Sequence, residues 1–475
     1  MGFVVVAALS PLARARARPF LQPSTPCRPS PARVRAPFYT PPPHPTPPHL
    51  NQQEPWWLEA LAARDERVVG HKLFFSHNYQ LTGIEAYMDM YFLTGEQRYL
   101  DAVLGAWALH RDPARGWILL GGSLAINEGD IYEPGSFHLE AGTNNAAAGP
   151  LPRERLRLER EGHHHHGHHH GVGDADGWGG TFPTGELCGA VFWLKLNQRL
   201  HQWDPENTTF VDEIEREVFN EGLAHLAPDG SGIRYFSFLN GLKQAPANIS
   251  TCCEGQGTRL YGSLQEYLFS TTPDAKGVYV DIYAPSTFSP FPGASIAVAT
   301  EFPYGSEVSI EVALTEPTAL DLALRMPSWV AAPAVPVAVG GQPWAAPGTP
   351  GAYLHVSQTW PAGTTLVTFS LPMALTAHPY TGVTQLPPYS RYGFTYGPTL
   401  LAATPSAAGS PGAFNKTLKG MVVPGVRGAA PQEWLVPAPD GNPLHWAVAG
   451  VPGVLFQPNW EIQQTLFSAF PCFDS

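Results

Sequence analysis

The chain has 475 residues, 44% of them hydrophobic, which is enough for two or three domains with cores of ordinary size. Charged residues make up only 14% and the formal net charge is −12, a balance that argues against a nucleic-acid binder, which needs basic patches for phosphates. No apolar run reaches the roughly 18 residues of a membrane span, and none is predicted.

The first residues, MGFVVVAAL, are apolar, but their charge (LARARARP) follows the run instead of preceding it, the wrong order for a secretory signal. An Arg-rich, acid-free continuation suits an organelle transit peptide, and a misassigned gene start would look the same. Sequons at Asn207, Asn248 and Asn415 permit secretion. The compartment stays open between secretion and an organelle. Residues 1–54, rich in Pro, Arg and Ala, carry too little apolar surface for a core and are expected to be disordered.

From Trp56 the pattern changes. Ile84, Tyr87, Met88, Tyr91 and Phe92 recur at i, i+3, i+4, i+7 and i+8, one face of a helix. LTGEQ breaks it, and Leu100, Val103, Leu104 and Trp107 begin a second face, so an αα-hairpin is predicted. Residues 113–182 are loop-rich and contain EGHHHHGHHHGVGDADG, read as a low-complexity surface insertion with at most weak metal affinity. Helical periodicity returns over Glu186–Leu200, at Phe210, Ile214, Val218 and Gly222, and at Leu260, Leu264 and Leu268. After about residue 275 the period becomes two. VYVDIY, VSIEVAL, LDLALRM, VPVAVGG, YLHVSQTW and TLVTFSL are separated by Gly/Pro turns and read as a β-sandwich. The tail keeps strand-like pieces but is loop-rich.

Five cysteines are too few for a disulfide scaffold, and their placement is more telling than their number. Glu186-Leu187-Cys188 and Cys252-Cys253 each open a predicted helix. A helix N-terminus carries partial positive charge, which favours the thiolate. Thiolates and a carboxylate suit zinc, yet the spacings match no zinc finger or ribbon, and Cys188 alone reads more readily as a buried apolar residue.

The segments HNYQLTGIEAYMDMYFLTGEQRYL, GELCGAVFWLKLNQR and CCEGQGTRLYGSLQEYLF, in this order, resemble glycoside hydrolase family 127, the retaining β-L-arabinofuranosidases and their relatives. LALRMPSWV, VAVGG, GAYLHVSQTWPAGTTLVTFSLPM and YGPTLLA look like that family's β-sandwich. The resemblance implies an α+β multidomain chain: an (α/α)6-barrel-type helical domain, lacking much of its N-terminal half, followed by β-sandwich domains. The expected division is 1–54 Pro/Arg-rich, 55–272 helical and catalytic with a His/Gly-rich insertion at about 141–180, 273–380 β-sandwich, and 381–475 β-rich and loop-rich.

The resemblance further implies zinc held by Glu186, Cys188, Cys252 and Cys253, with Cys252 also the nucleophile of a retaining hydrolase. Glu128, in GGSLAINEGDIYEPGSF, would be the acid/base, with Glu133 as runner-up. His77, at the head of a helix, would contact the sugar, or simply cap that helix. Arg259 could bind substrate, but is expected instead to brace its loop through a carboxylate such as Glu254. The implied partner is a carbohydrate, an arabinofuranoside or related glycan; a homodimer is left open. The alternative is a catalytically inactive carbohydrate-binding or scaffold protein whose zinc site is purely structural.

Overall fold

Helix α4, Leu187–Trp203, buries nearly every side chain from Leu187 to Asn197, and a helix that is apolar all round belongs in the middle of a core. In the computed structural model, which describes residues 54–65, 77–113, 118–124, 185–237, 239–243, 251–381, 387–405, 421–423, 430–463 and 465–474, the other helices gather around it. They are α1 (Glu54–Ala62), α2 (His77–Thr94), α3 (Gln97–His110), α5 (Thr208–Glu217) and α6 (Cys252–Gly262). The predicted αα-hairpin is α2 and α3, turned at Gly95 with φ 71°. Ile84 and Met88 from α2, Val103 and Ala106 from α3, Val191 and Trp193 from α4 and Phe210 from α5 share one apolar core. A polar peg fixes the register of α3 on α4: the Trp107 indole donates to Asn197 at 2.8 Å and its ring stacks on Trp193.

Two helical expectations are corrected. The periodicity over Leu260–Leu268 is not one α-helix: α6 stops at Gly262, and Leu264–Tyr267 tightens into a 3-10 turn. Glycine is a poor helix former, and the 3-10 turn still buries Leu264 and Tyr267. The continuation of α5 through Val218–Gly222 is a π-helical turn, which rotates Glu217 and Glu221 into the interior.

The period-two segments form two sheets. In chain order the strands are β1 (Phe269–Thr271), β2 (Gly277–Val280), β3 (Ser286–Phe288), β4 (Ala294–Thr300), β5 (Glu307–Leu314), β6 (Thr318–Met326), β7 (Val337–Val339), β8 (Gln342–Pro343), β9 (Ala352–Trp360) and β10 (Gly363–Ser370). One sheet runs β9-β6-β2-β1, with β6 antiparallel to β9 and parallel to β2; the other runs β3-β4-β5-β10-β7-β8. Alternation in β5 sends Val308, Ile310, Val312 and Leu314 inward against Leu320, Leu322 and Leu324 of β6, so the sheets face each other across one apolar core.

The outer face of β6 is covered by helices. There Arg325, fully buried, donates through Nη1 to Asp212 at 2.5 Å, through Nη2 to Glu215, and through Nε to the Asp281 carbonyl at 2.5 Å. The Trp329 indole donates to the second oxygen of Glu215 at 2.6 Å. This cluster joins α5 to the sheet.

The C-terminal segment is less irregular than its sequence suggests. It contributes to a third, ten-stranded sheet, whose core path pairs Ser390–Tyr396 with Thr399–Pro405 and the latter with Val451–Pro458. Asn240–Gly241, from the helical part, pairs with Phe467–Ser468 at its side. The structure is therefore a mixed α+β protein of several packed units.

Candidate metal and thiol site

Four side chains separated by up to 67 positions in the chain converge where α4 and α6 begin. One ligand atom from each of Glu186, Cys188, Cys252 and Cys253 lies within 4.8 Å of the others. The Cys188 and Cys253 sulfurs are 3.3 Å apart, and Cys253 Sγ is 3.6 Å from Glu186 Oε1. All three cysteines are free thiols. Glu186, Cys188 and Cys253 are buried, whereas Cys252 is exposed, so the adjacent cysteines do face in different directions.

Local sequence holds each arm. Glu186 is the N-cap of α4 and bridges to Phe236; Leu187 N–H donates to the Tyr235 carbonyl at 3.1 Å and Ser237 N–H to the Gly185 carbonyl at 2.8 Å. Gly185 has φ 72°, and a Cβ there would meet the Ser237 carbonyl oxygen at 2.2 Å, so no other residue fits. Gly185→Ala is expected to destabilise the fold by at least about 2 kcal/mol, measured by urea unfolding, through clash and a left-handed backbone together. The second arm is set by Thr251, whose hydroxyl accepts from Glu254 N–H while the Glu254 carboxylate accepts from Thr251 N–H. This capping box aims the first turn of α6 at the cluster. Both cysteine groups therefore lie at positive helix ends.

Hydrogen bonds from Cys188 and Cys253, joined by one from Tyr235, pull the Cys252 thiol down to about 2, against the effect of burial. The bond to Cys252 pushes the Cys188 thiol up, and burial does the same to Cys253. Charge thus collects on the one exposed sulfur. Tyr235, whose hydroxyl lies 3.3 Å from Cys252 Sγ, escaped the sequence reading. It sits in IRYFSF, which has no helical period; only its run of alternating aromatic residues marks it.

A second carboxyl group lies behind the Glu186 arm. Glu221 is fully buried below the Gly121–Gly122 turn, where a Cβ on Gly121 would come within 2.5 Å of its Oε1, and its backbone carbonyl accepts from His225, whose other ring nitrogen meets the Gly185 carbonyl at 3.1 Å. Burial raises its pKa to about 7 from an ordinary 4.5, against a pull from Ser237. The folded state then holds a proton that the unfolded state has released. Its contribution to stability is complete below pH 4.5 and lost as pH rises through 7. Unfolding free energies at pH 4.5 and 8 are expected to differ by on the order of 3 kcal/mol more in wild type than in Glu221→Gln.

The other sequence-predicted residues are placed as follows. His77 is the first residue of α2; its side chain is outside the described residues, as are Glu128, Glu133 and the His-rich run. Arg259 is braced, but not by Glu254, whose carboxylate the capping box occupies. Its guanidinium instead approaches Gln256 at 3.4 Å and Glu85 at 4.0 Å.

Family models agree with the two halves of this arrangement. The model described as the beta-L-arabinofuranosidase GH127 catalytic domain matches residues 168–266, which contain both thiol arms, and the GH127 middle domain matches residues 277–373. Two stretches of the chain are thus similar to glycoside hydrolase family 127. Among curated proteins, the non-reducing end beta-L-arabinofuranosidase of Bifidobacterium longum subsp. longum is 23% identical over 165 residues, 30% of this chain and 24% of that one. Among solved structures, a GH127 beta-arabinofuranosidase superposes with a TM-score of 0.59 at 15% identity, covering 89% of this chain and 65% of that one. A GH127 beta-L-arabinofuranosidase from Geobacillus stearothermophilus T6 gives 0.54 at 13% identity, covering 84% and 60%. The chain thus spans about a quarter of the curated relative and under two thirds of these solved structures.

Proposed function

We propose that the chain is a zinc-dependent retaining glycoside hydrolase that releases β-L-arabinofuranose or a similar sugar from glycans or glycoproteins. The observation that carries this reading is the convergence of Glu186, Cys188, Cys252 and Cys253 within 4.8 Å. A tetrahedral site with bonds of about 2.0–2.3 Å spaces its ligands by about 3.3–3.8 Å, and the 3.3 and 3.6 Å contacts lie near that range. Three sulfurs and one carboxylate oxygen form a soft donor set that suits zinc better than magnesium or calcium. Zinc held there would compensate the buried thiolates and keep Cys252 deprotonated at neutral pH. The helical part is read as belonging to an (α/α)6 barrel with β-sandwich units behind it, along the division at about 272 and 380 stated above.

In this mechanism Cys252 Sγ attacks the anomeric carbon, and a C–S bond forms as the glycosidic C–O bond breaks. Glu128 protonates the leaving oxygen. It then takes a proton from water, which displaces the thiolate with a second inversion and so gives net retention. Tyr235 steadies Cys252 through its hydroxyl, and His77 orients the sugar.

The test is a panel of p-nitrophenyl furanosides offered to the purified full chain. Release from the β-L-arabinofuranoside in preference to its α anomer is expected. Release from none of the panel by folded protein would overturn the activity and leave the structural-zinc alternative. Metal content is a separate expectation: about one zinc per chain by mass spectrometry of metals, falling at least tenfold in Cys188→Ala and in Cys253→Ala. A folded wild-type chain without zinc, which takes none up on titration, would refute the site.

A further inference from the structure

A cleft of about 230 Å³ opens where the C-terminus of α3, the middle of α5 and the strand Leu375–Pro379 meet. No residue lining it belongs to the thiol cluster. Its polar wall is built around Glu213, which is buried and accepts from the Trp193 indole at 3.0 Å. Arg111 reaches one oxygen of this carboxylate through Nε at 3.0 Å, and Arg216 reaches the other through Nη2. Two guanidinium groups thus share one carboxylate, with the Asp112 carboxylate beside them on the same lining. The Arg111 guanidinium also lies over the Trp107 ring, 4.7 Å from its centroid, which restricts the plane of the group, and among the described residues its Nη atoms meet no carboxylate.

The rest of the wall fits a ring-sized partner. Tyr380 and Phe470 pack together with centroids 5.4 Å apart and line the apolar side. His378 also lines the cleft, with its Nε2 2.9 Å from the Thr395 hydroxyl; burial and then the Arg216 charge lower its pKa, so it stays neutral beside the two arginines. The volume is below the roughly 300–1,000 Å³ of pockets for drug-sized ligands, which limits an occupant to about one sugar unit. Preoriented guanidinium edges are the usual partners of carboxylates and phosphates, which they meet with paired N–H donors.

We propose that this cleft is a second ligand site, separate from the thiol cluster, that takes a small oxyanion-bearing ligand of monosaccharide size on Arg111 and Arg216. The ionised carboxylate of an acidic sugar and a phosphate group share this chemistry. The site stands on its own geometry and does not depend on the hydrolase reading.

Binding to the full chain is measured by calorimetry and protein NMR with D-galacturonate, inorganic phosphate and neutral L-arabinose as probes. Saturable binding of galacturonate is expected, at least tenfold tighter than L-arabinose and weakened by added salt. Phosphate binding as well would show a general oxyanion site, and its absence would show one shaped for an acidic sugar. Arg111→Ala, at a side chain more than one third exposed, is expected to keep the fold and weaken galacturonate at least tenfold. Arg216→Gln, which keeps an N–H donor for Glu213, is expected to do the same. Equal affinity for L-arabinose, no saturable binding of either anion by folded protein, or undiminished binding in both variants would each overturn the proposal.

Discussion

Replacing Cys252 by alanine is expected to lower turnover of an aryl β-L-arabinofuranoside by about 10⁴-fold or more, equivalent to about 5 kcal/mol of barrier, with the fold retained. The asymmetry follows from the geometry. Cys252 is the exposed member of the cluster and the sulfur on which hydrogen bonding concentrates the negative charge. Truncating it removes a nucleophile but opens little cavity, and Glu186, Cys188 and Cys253 remain as donors. Cys253→Ala is expected to behave differently, because Cys253 is buried against Cys188 and Glu186: both stability and metal should fall together. Kinetics, metal content and thermal unfolding on the two variants separate the roles. Turnover by Cys252→Ala within tenfold of wild type would remove the nucleophile assignment.

Arg325→Ala is expected to cost about 3–5 kcal/mol of folding free energy, the largest stability effect of any single substitution considered. The loss is not mainly that of an attraction. Glu215 is fully buried, and burial already pushes its carboxyl up; without Arg325 its charge keeps the Trp329 indole as a donor but faces the Asp212 carboxylate. Asp212 and the Asp281 carbonyl would lose donors at the same time. Neutralising the orphan should restore much of the loss, so Arg325→Met with Glu215→Gln is expected to be clearly more stable than Arg325→Ala in urea. A loss below about 1 kcal/mol in Arg325→Ala would mean that the cluster is solvated and does not join α5 to the sheet.

Much of this was legible in residue periodicity. Ile84, Met88, Val103 and Leu104 placed the α2–α3 hairpin because a helix face facing a core must be apolar at that spacing, and β5 and β6 followed from alternation. What escaped depends on distant partners. The strands of the third sheet outside its core path are two to five residues long, too short to show a period, and one of them pairs far along the chain, Asn240 opposite Ser468. The π turn at Val218–Gly222 keeps an apolar pattern that an α-helix would also show. At the site, the four ligand candidates could be named because the Glu-x-Cys and Cys-Cys segments resemble those of glycoside hydrolase family 127. Tyr235 could not, since a tyrosine becomes informative only when a thiol is found beside it. Arg259 was given the wrong carboxylate because Glu254 is nearer in sequence but already engaged by its own helix cap.

The central claim is that Cys252 carries the sugar between the two displacements. Rapid acid quench of the full chain during turnover, followed by proteolysis and peptide mass spectrometry, tests it most directly. The account expects the Cys252 peptide to gain the mass of one anhydropentose, with no such gain in Cys252→Ala. The sugar attached to any other residue, or steady turnover by the alanine variant, would contradict it.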